Sequence, residues 1–217
     1  MTRACIFDMD GVLIDSGAHH RNAWSALLAE LGVDASEPEP WRVTIGRPAE
    51  EAVPLLLGRR VEPAEARRLA LRKRELYASF ARRGVLSVPG VLPFVEALHR
   101  LAVPRAVGTS ATRADVEDLL GRLGLRRHFD VIVTAEDVRL GKPDPEVYLE
   151  SARRLGASPA ACLVFEDSLV GVQAARRAGM RAIGVTTAHT ADELRGAGAE
   201  SAIADFEGLA WDSIARP

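Results

Sequence analysis

The sequence predicts an α/β fold: a parallel sheet with helices on both faces, and an all-helical segment inserted near its start. Three observations carry this. Short apolar runs rich in Val, Ile and Phe alternate with helical stretches, the order that builds parallel sheets. The runs are continuously apolar rather than alternating, as strands buried on both faces require. The alternation stops between Ser16 and about Leu86, where the patterning is helical only.

In chain order, Ala4 to Phe7 is the first strand. Gly17 to Leu31 reads as a helix, with Trp24, Leu27, Leu28 and Leu31 on one stripe. Glu37-Pro38-Glu39-Pro40 is a loop signal. Pro48 to Leu57 is a second helix, weakened by Pro54. Pro63 to Arg83 is a long third one, with Pro63 suited to a helix start. Strands then follow at Arg105 to Gly108, Val131 to Thr134, Cys162 to Phe165 and Ala182 to Val185, with a short last one at Ser201 to Ala204. Helices at Val91 to Leu101, Arg113 to Leu123, Glu146 to Leu155 and Val170 to Ala178 lie between them. The expected division is residues 1–15 and 86–217 for the α/β core and 16–85 for the helical insert. An insert beside a strand's carboxyl end overhangs the site and can act as a lid.

Composition narrows the function. The chain has 217 residues and a net charge of -2, with 47% hydrophobic and 27% charged residues, as ordinary globular proteins do. The lack of a basic excess argues against nucleic acid as a partner. No apolar run approaches the ~20 residues that span a bilayer, and the N-terminus shows no signal-peptide pattern. With Cys5 and Cys162 as the only cysteines, a reduced, cytoplasmic setting is expected. A monomer is expected too, insert and core covering each other's apolar surfaces. Among the 28 basic residues only Lys73 and Lys142 are lysine. Lysine offers a compact point charge where arginine offers a planar fork, so these two positions call for a reason.

In parallel α/β sheets the site forms at the carboxyl ends of the strands. The first strand closes Phe7-Asp8-Met9-Asp10-Gly11. Asp8 and Asp10 are two apart and so point to one side. Two adjacent carboxylates repel and their pKa values separate, so one can serve as an ionised nucleophile and the other as a protonated acid. The second strand closes Gly108-Thr109-Ser110, where hydroxyls and N–H groups can hold an anionic oxygen or simply cap the next helix. The third leads to Lys142, in a loop stiffened by Pro143 and Pro145. The fourth closes Phe165-Glu166-Asp167-Ser168. Hard oxygen ligands in this number suit Mg2+.

Taken together in this order, Asp-x-Asp-Gly, Thr-Ser, Lys-Pro and Glu-Asp resemble the motifs of the haloacid dehalogenase-like hydrolase superfamily, over the whole chain and including the insert position. The resemblance implies a Rossmann-like core with a helical cap. It implies Asp8 as nucleophile forming an aspartyl-phosphate, and Asp10 as acid and then base. It implies Thr109, Ser110 and Lys142 around the phosphate, and Mg2+ held by Asp8, the Asp10 carbonyl and Asp167, with Glu166 direct or through water. Dehalogenase members lack a carboxylate at the position of Asp10, because a halide leaves without a proton. Asp10 therefore points to phosphoryl chemistry.

Within the superfamily, Asp15 to Trp24 resembles the opening of the β-phosphoglucomutase and sugar-phosphatase branch. That likeness singles out His20 near Asp10, Arg47 in a cap loop and Lys73 on the cap's long helix. Lys73 lies four residues after Leu69 and four before Tyr77, on the apolar face. Arg113 either holds a second phosphate or only begins a helix. The mutases carry an arginine where this chain has Ala49, which favours a phosphatase. The reading is a Mg2+-dependent phosphatase of a small, sugar-like phosphorylated metabolite. The alternative is β-phosphoglucomutase-like transfer between sugar hydroxyls, and a catalytically silent binding protein stands behind both.

Overall fold

A computed structural model describes residues 3–33, 40–82 and 84–215. Six strands form one parallel sheet: β1 (Ala4–Phe7), β4 (Arg105–Gly108), β5 (Val131–Val133), β6 (Cys162–Glu166), β7 (Arg181–Val185) and β8 (Ser201–Ile203), in the order β5-β4-β1-β6-β7-β8. β1 is buried along its whole length and pairs with β4 on one side and β6 on the other. The order reverses between β1 and β6, and a crevice opens at their carboxyl ends. The chain brings Asp8, Thr109 and Glu166 to that point.

Helices α4 (Val91–Arg100), α5 (Arg113–Arg122), α6 (Glu146–Leu155) and α7 (Leu169–Arg177) connect the strands. The sheet separates two apolar layers. One holds Phe7, Phe94, Phe129, Phe165 and Phe206, with Phe7 stacked on Phe165 at 4.9 Å. The other holds Ile6, Tyr148 and Val164. Full burial of each such side chain is worth about 1.5–3 kcal/mol, which makes the sheet a firm platform for its loops.

The insert has its own apolar cluster of Trp24, Leu27, Ala52, Val53 and Leu69, supplied by α1 (Gly17–Glu30), α2 (Ala49–Leu57) and α3 (Pro63–Ala81). Helix α2 runs through Pro54 and ends at Gly58, whose φ of 61° closes it. Burial of Ala52 and Val53 in the cluster outweighs the one hydrogen bond that Pro54 removes. Of the expected loop at 37–40, only Pro40 is described, opening a 3-10 turn (Pro40–Thr44). Glu37, Pro38 and Glu39 lie outside the described residues, as does Arg83.

The chain enters and leaves the insert through a two-stranded antiparallel ribbon, β2 (Ile14–Asp15) on β3 (Leu86–Ser87). Two residues carry no periodicity, and sequence patterning assigned no strand there. Patterning also passed over α8 (Ala191–Gly196), although Thr190 and Glu193 form a full capping box at its start, and the short α9 (Trp211–Ile214). Cys5 and Cys162 are free and buried. Among the described residues no helix is long and apolar enough to cross a membrane.

Candidate active site

The floor of the crevice is an ionic cluster at the ends of β1 and β6. Lys142, 1% exposed, donates from Nζ to Asp8 Oδ1 at 2.8 Å and to Glu166 Oε1 at 2.5 Å. Tyr148 donates to the same Glu166 oxygen at 2.7 Å, and Ser168 donates to Oε2 from both its N–H and its hydroxyl at 2.8 Å. Four donors thus surround Glu166, which is fully buried. Helix α7 passes so close that a Cβ on Gly171 would lie 1.7 Å from Glu166 Oε1, and glycine alone fits. Lys142 arrives on a loop with a cis bond before Pro143.

Asp8, Glu166 and Asp167 bring one carboxylate oxygen each within 4.8 Å of one another, and all three are buried. A single ammonium does not balance three carboxylates. Burial pushes Asp8 up to about 7, Lys142 pulling it down and Glu166 pushing it back. Burial and repulsion from Glu166 and Asp8 raise Asp167 well above the carboxylate range. Burial alone would raise Glu166, but Lys142 and its hydrogen bonds hold it below its ordinary value. Burial works against the charge of Lys142, and Asp8 and Glu166 more than restore it.

The cap supplies the opposite wall. His20 Nε2 lies 3.0 Å from Asp10 Oδ1, and His20 Nδ1 lies 2.7 Å from Lys73 Nζ. The ammonium can only donate, so Nδ1 is the acceptor and Nε2 carries the ring proton toward Asp10. Burial and the neighbouring Lys73 lower the His20 pKa and keep the ring neutral. Lys73 sits over the Trp24 and Tyr77 rings, 5.1 and 5.2 Å from their centroids. Burial lowers it to about 8, against the attraction of Asp10 and Asp115. Burial would raise Asp10, but His20, Ser16 and Lys73 together hold it at about 2. In this structure, then, Asp10 is the ionised member of the pair and Asp8 the raised one. The Lys73 ammonium and the His20 N–H lie on the Asp10 side, while Glu166 crowds Asp8.

Other expected residues divide. Thr109 is buried at the end of β4, its Oγ1 accepting from the Ala111 N–H at 3.1 Å. The Ser110 hydroxyl instead donates to the Gly46 carbonyl of the cap at 3.0 Å. Arg47 lines the cleft from the loop before α2 and makes no ion pair among the described residues. The structure does not bring Arg113 to the cleft. Its guanidinium is drawn to Asp137 at 2.5 Å and its N–H to Glu136 at 2.9 Å. The cleft between floor and cap has a volume of about 910 Å³.

Sequence reasoning missed the residues that hold this site without reacting in it. Tyr148 and Ser168 orient Glu166, and Ser16 and Tyr77 flank Asp10. Ser168, adjacent to Asp167, carried the one readable signal. Tyr148 is a helix residue in an apolar stripe, and its hydroxyl meets Glu166 only in the fold.

Known proteins resemble this chain in sequence and in fold. The chain is 35% identical to validoxylamine A 7'-phosphate phosphatase of Streptomyces hygroscopicus subsp. limoneus, over 99% of either chain. It is 36% identical to the fructose-1-phosphate phosphatase YqaB of Escherichia coli, over 83% of this chain and 94% of that one. Among solved structures, a hydrolase from Pseudomonas syringae superposes with a TM-score of 0.91 at 28% identity, covering 99% of this chain and 100% of that one. A β-phosphoglucomutase from Clostridium difficile superposes with a TM-score of 0.86 at 25% identity, covering 99% and 96%. A family model described as haloacid dehalogenase-like hydrolase matches residues 2–179, most of the chain, and the protein belongs to that family.

Proposed function

We propose that this hydrolase removes phosphate from a small, sugar-like phosphomonoester, that Asp8 takes the phosphoryl group, and that Mg2+ is the cofactor. That the protein is a phosphoric monoester hydrolase follows from its family and its phosphatase relatives. The observation that carries the finer reading is the buried set Asp8, Glu166 and Asp167 against the lone ammonium of Lys142. Its donors are all hard oxygens, and the charge deficit fits a divalent cation. Asp8, Asp167 and the Asp10 backbone carbonyl would hold the ion, and Glu166, already surrounded by four donors, would reach it through water. Bound there, Mg2+ would supply positive charge that offsets repulsion between a carboxylate nucleophile and a phosphate dianion.

The chain's own residues do the rest. Lys142 grips Asp8 by Oδ1 and fixes the plane of the carboxylate. Asp8 attacks phosphorus as the bond to the leaving oxygen breaks, and Asp10 gives that oxygen a proton. Asp10 then takes a proton from the water that cleaves the acyl-phosphate. The first step needs Asp10 protonated, with a proton brought by the incoming phosphomonoester monoanion, and the ionised Asp10 beside a neutral His20 is the state the second step needs. Thr109, whose hydroxyl proton has no acceptor among the described residues, is set to bond a phosphate oxygen. A cleft of this size takes a sugar-sized phosphomonoester, and the relatives are named for validoxylamine A 7'-phosphate and fructose 1-phosphate.

A second reading, β-phosphoglucomutase-like transfer, draws on the Lys73–His20–Asp10 chain and on the superposition with a β-phosphoglucomutase. Phosphate release from a panel of sugar and cyclitol phosphates, with Mg2+ or a chelator, separates the two when both anomers of glucose 1-phosphate are included. The expected result is Mg2+-dependent release that falls by roughly 10⁴-fold or more in Asp8→Asn. Formation of glucose 6-phosphate without release would replace the phosphatase by the mutase.

A further inference from the structure

The loop after β7 has no part in the chemistry above, yet it touches both strand ends that carry the acidic cluster. Thr187 Oγ1 donates to the Gly11 carbonyl at 2.6 Å and lies 3.3 Å from Asp167 Oδ2. Two residues on, His189, 8% exposed, places Nδ1 2.9 Å from the Asp167 carbonyl oxygen. A carbonyl oxygen only accepts, so Nδ1 carries the proton. The loop is itself anchored at both ends. The Thr186 N–H bonds the Ile203 carbonyl at 2.9 Å, and Thr190 caps α8.

Gly11 is pinned from both sides. Its N–H donates to the Ile14 carbonyl at 2.8 Å. Across a planar trans peptide the N–H and C=O point opposite ways, so this bond also aims the Asp10 carbonyl. The carbonyl of Gly11 itself is the one Thr187 holds. A φ of +73° and a hypothetical Cβ only 1.9 Å from Asp167 Oδ2 leave no residue but glycine at this contact. The loops after β1 and β6 therefore meet at Gly11 and Asp167, and the loop after β7 ties them together.

We infer that Thr187 and His189 are positioning residues that hold Asp167 and the Asp10–Gly11 backbone in the arrangement that takes the divalent cation. The inference rests on the Mg2+ reading above. Neither residue touches the reacting atoms. Both act by limiting how far one ligand can drift from the others, the way outer partners of metal ligands do.

Mn2+ binding to the substrate-free protein, followed by loss of the free-ion EPR signal, tests it, with Mg2+ competition to place the physiological ion. Thr187→Val and His189→Leu are expected to weaken binding by about tenfold or more. Thr187→Ser and His189→Asn keep a donor in the same place, and are expected to return it to within about threefold of the wild type. In phosphate-release assays the first two variants need correspondingly more Mg2+ for half-maximal rate, with the substrate KM unchanged at saturating Mg2+. Wild-type Mn2+ affinity in Thr187→Val and His189→Leu would overturn the inference and leave the Mg2+ reading intact. An equal loss in the conservative pair would overturn it as well, since only folding would then be at stake. A wild-type protein that binds no Mn2+ and releases phosphate in chelator would overturn the Mg2+ reading, and the inference with it.

Discussion

Both lysines of this protein bury their ammonium groups, Lys142 in the floor of the cleft and Lys73 in its cap, and the two burials are built differently. Lys142 is bonded to two carboxylates, and one of these, Glu166, accepts three further hydrogen bonds. Lys73 meets a neutral imidazole and two aromatic faces, with Asp10 reached only through His20. A matched buried charge locks its surroundings. An unmatched one costs stability and remains available to an anion that enters the cleft. On the function proposed above, floor and cap divide the work: the floor fixes the geometry of the reacting groups, and the cap holds positive charge ready for substrate.

The largest effect expected from breaking this contrast is on the floor. Lys142→Met would leave Asp8 and Glu166 buried without their cation, which costs about 3–5 kcal/mol of stability. Phosphate release would fall by at least roughly 10²–10³-fold, because the charge facing the phosphoryl group is gone as well. Urea unfolding and phosphate release on the same preparation check both. Wild-type stability in this variant would mean that the floor is not a matched cluster.

Lys73→Met should do the opposite to stability. Burial holds the Lys73 pKa at about 8 against an ordinary value of 10.5. Folded protein therefore binds this proton less tightly than unfolded chain does. The cost is full below about pH 8 and is relieved as pH rises toward 10.5, so stability owed to this group climbs with pH. The shift corresponds to about 3 kcal/mol, and the lost attraction to two ring faces returns part of it, at about 0.5–2 kcal/mol for such contacts. A gain of about 1–2 kcal/mol at pH 7 is expected, shrinking toward pH 10.5, together with about tenfold or greater loss in kcat/KM. A destabilised variant at pH 7 would show that Lys73 is as well matched as Lys142.

The same division explains what could be read from sequence. Strand ends announce themselves, because a continuous apolar run stops at a polar residue, and Asp8, Thr109 and Asp167 directly follow β1, β4 and β6, while Lys142 stands out as one of two lysines, in a proline-flanked loop beyond β5. Order along the chain carried the family. What stayed hidden depends on partners far away in sequence. Arg113 is held by Asp137, which sits in a capping box with Thr134, and nothing local to Arg113 signals that. Thr187 and Gly11 are 176 residues apart. The charge states of Asp8 and Asp10 follow from which loops fold over which carboxylate, a property of the assembled cleft.

Ser110 gives the smallest effect and the sharpest distinction between floor and cap. The motif places its hydroxyl at the phosphate, while the structure gives that hydroxyl to the Gly46 carbonyl, a tie from core to cap across 64 residues. Two ion pairs, Arg42 with Glu193 and Arg74 with Asp115, make the same crossing at half-exposed positions, where each is worth less than about 1 kcal/mol. A neutral hydrogen bond adds about 1 kcal/mol. Loss of one tie among several should loosen cap closure without dismantling it. Ser110→Ala is therefore expected to raise KM by about two- to fivefold and leave kcat near its wild-type value, or raise it where cap opening limits turnover. If the hydroxyl held a phosphate oxygen through the transition state, the same substitution would instead lower kcat by about 10²-fold or more with little change in KM. Steady-state kinetics on a single substrate separates the two, and a collapse of kcat would move Ser110 from the cap's closure to the floor's chemistry.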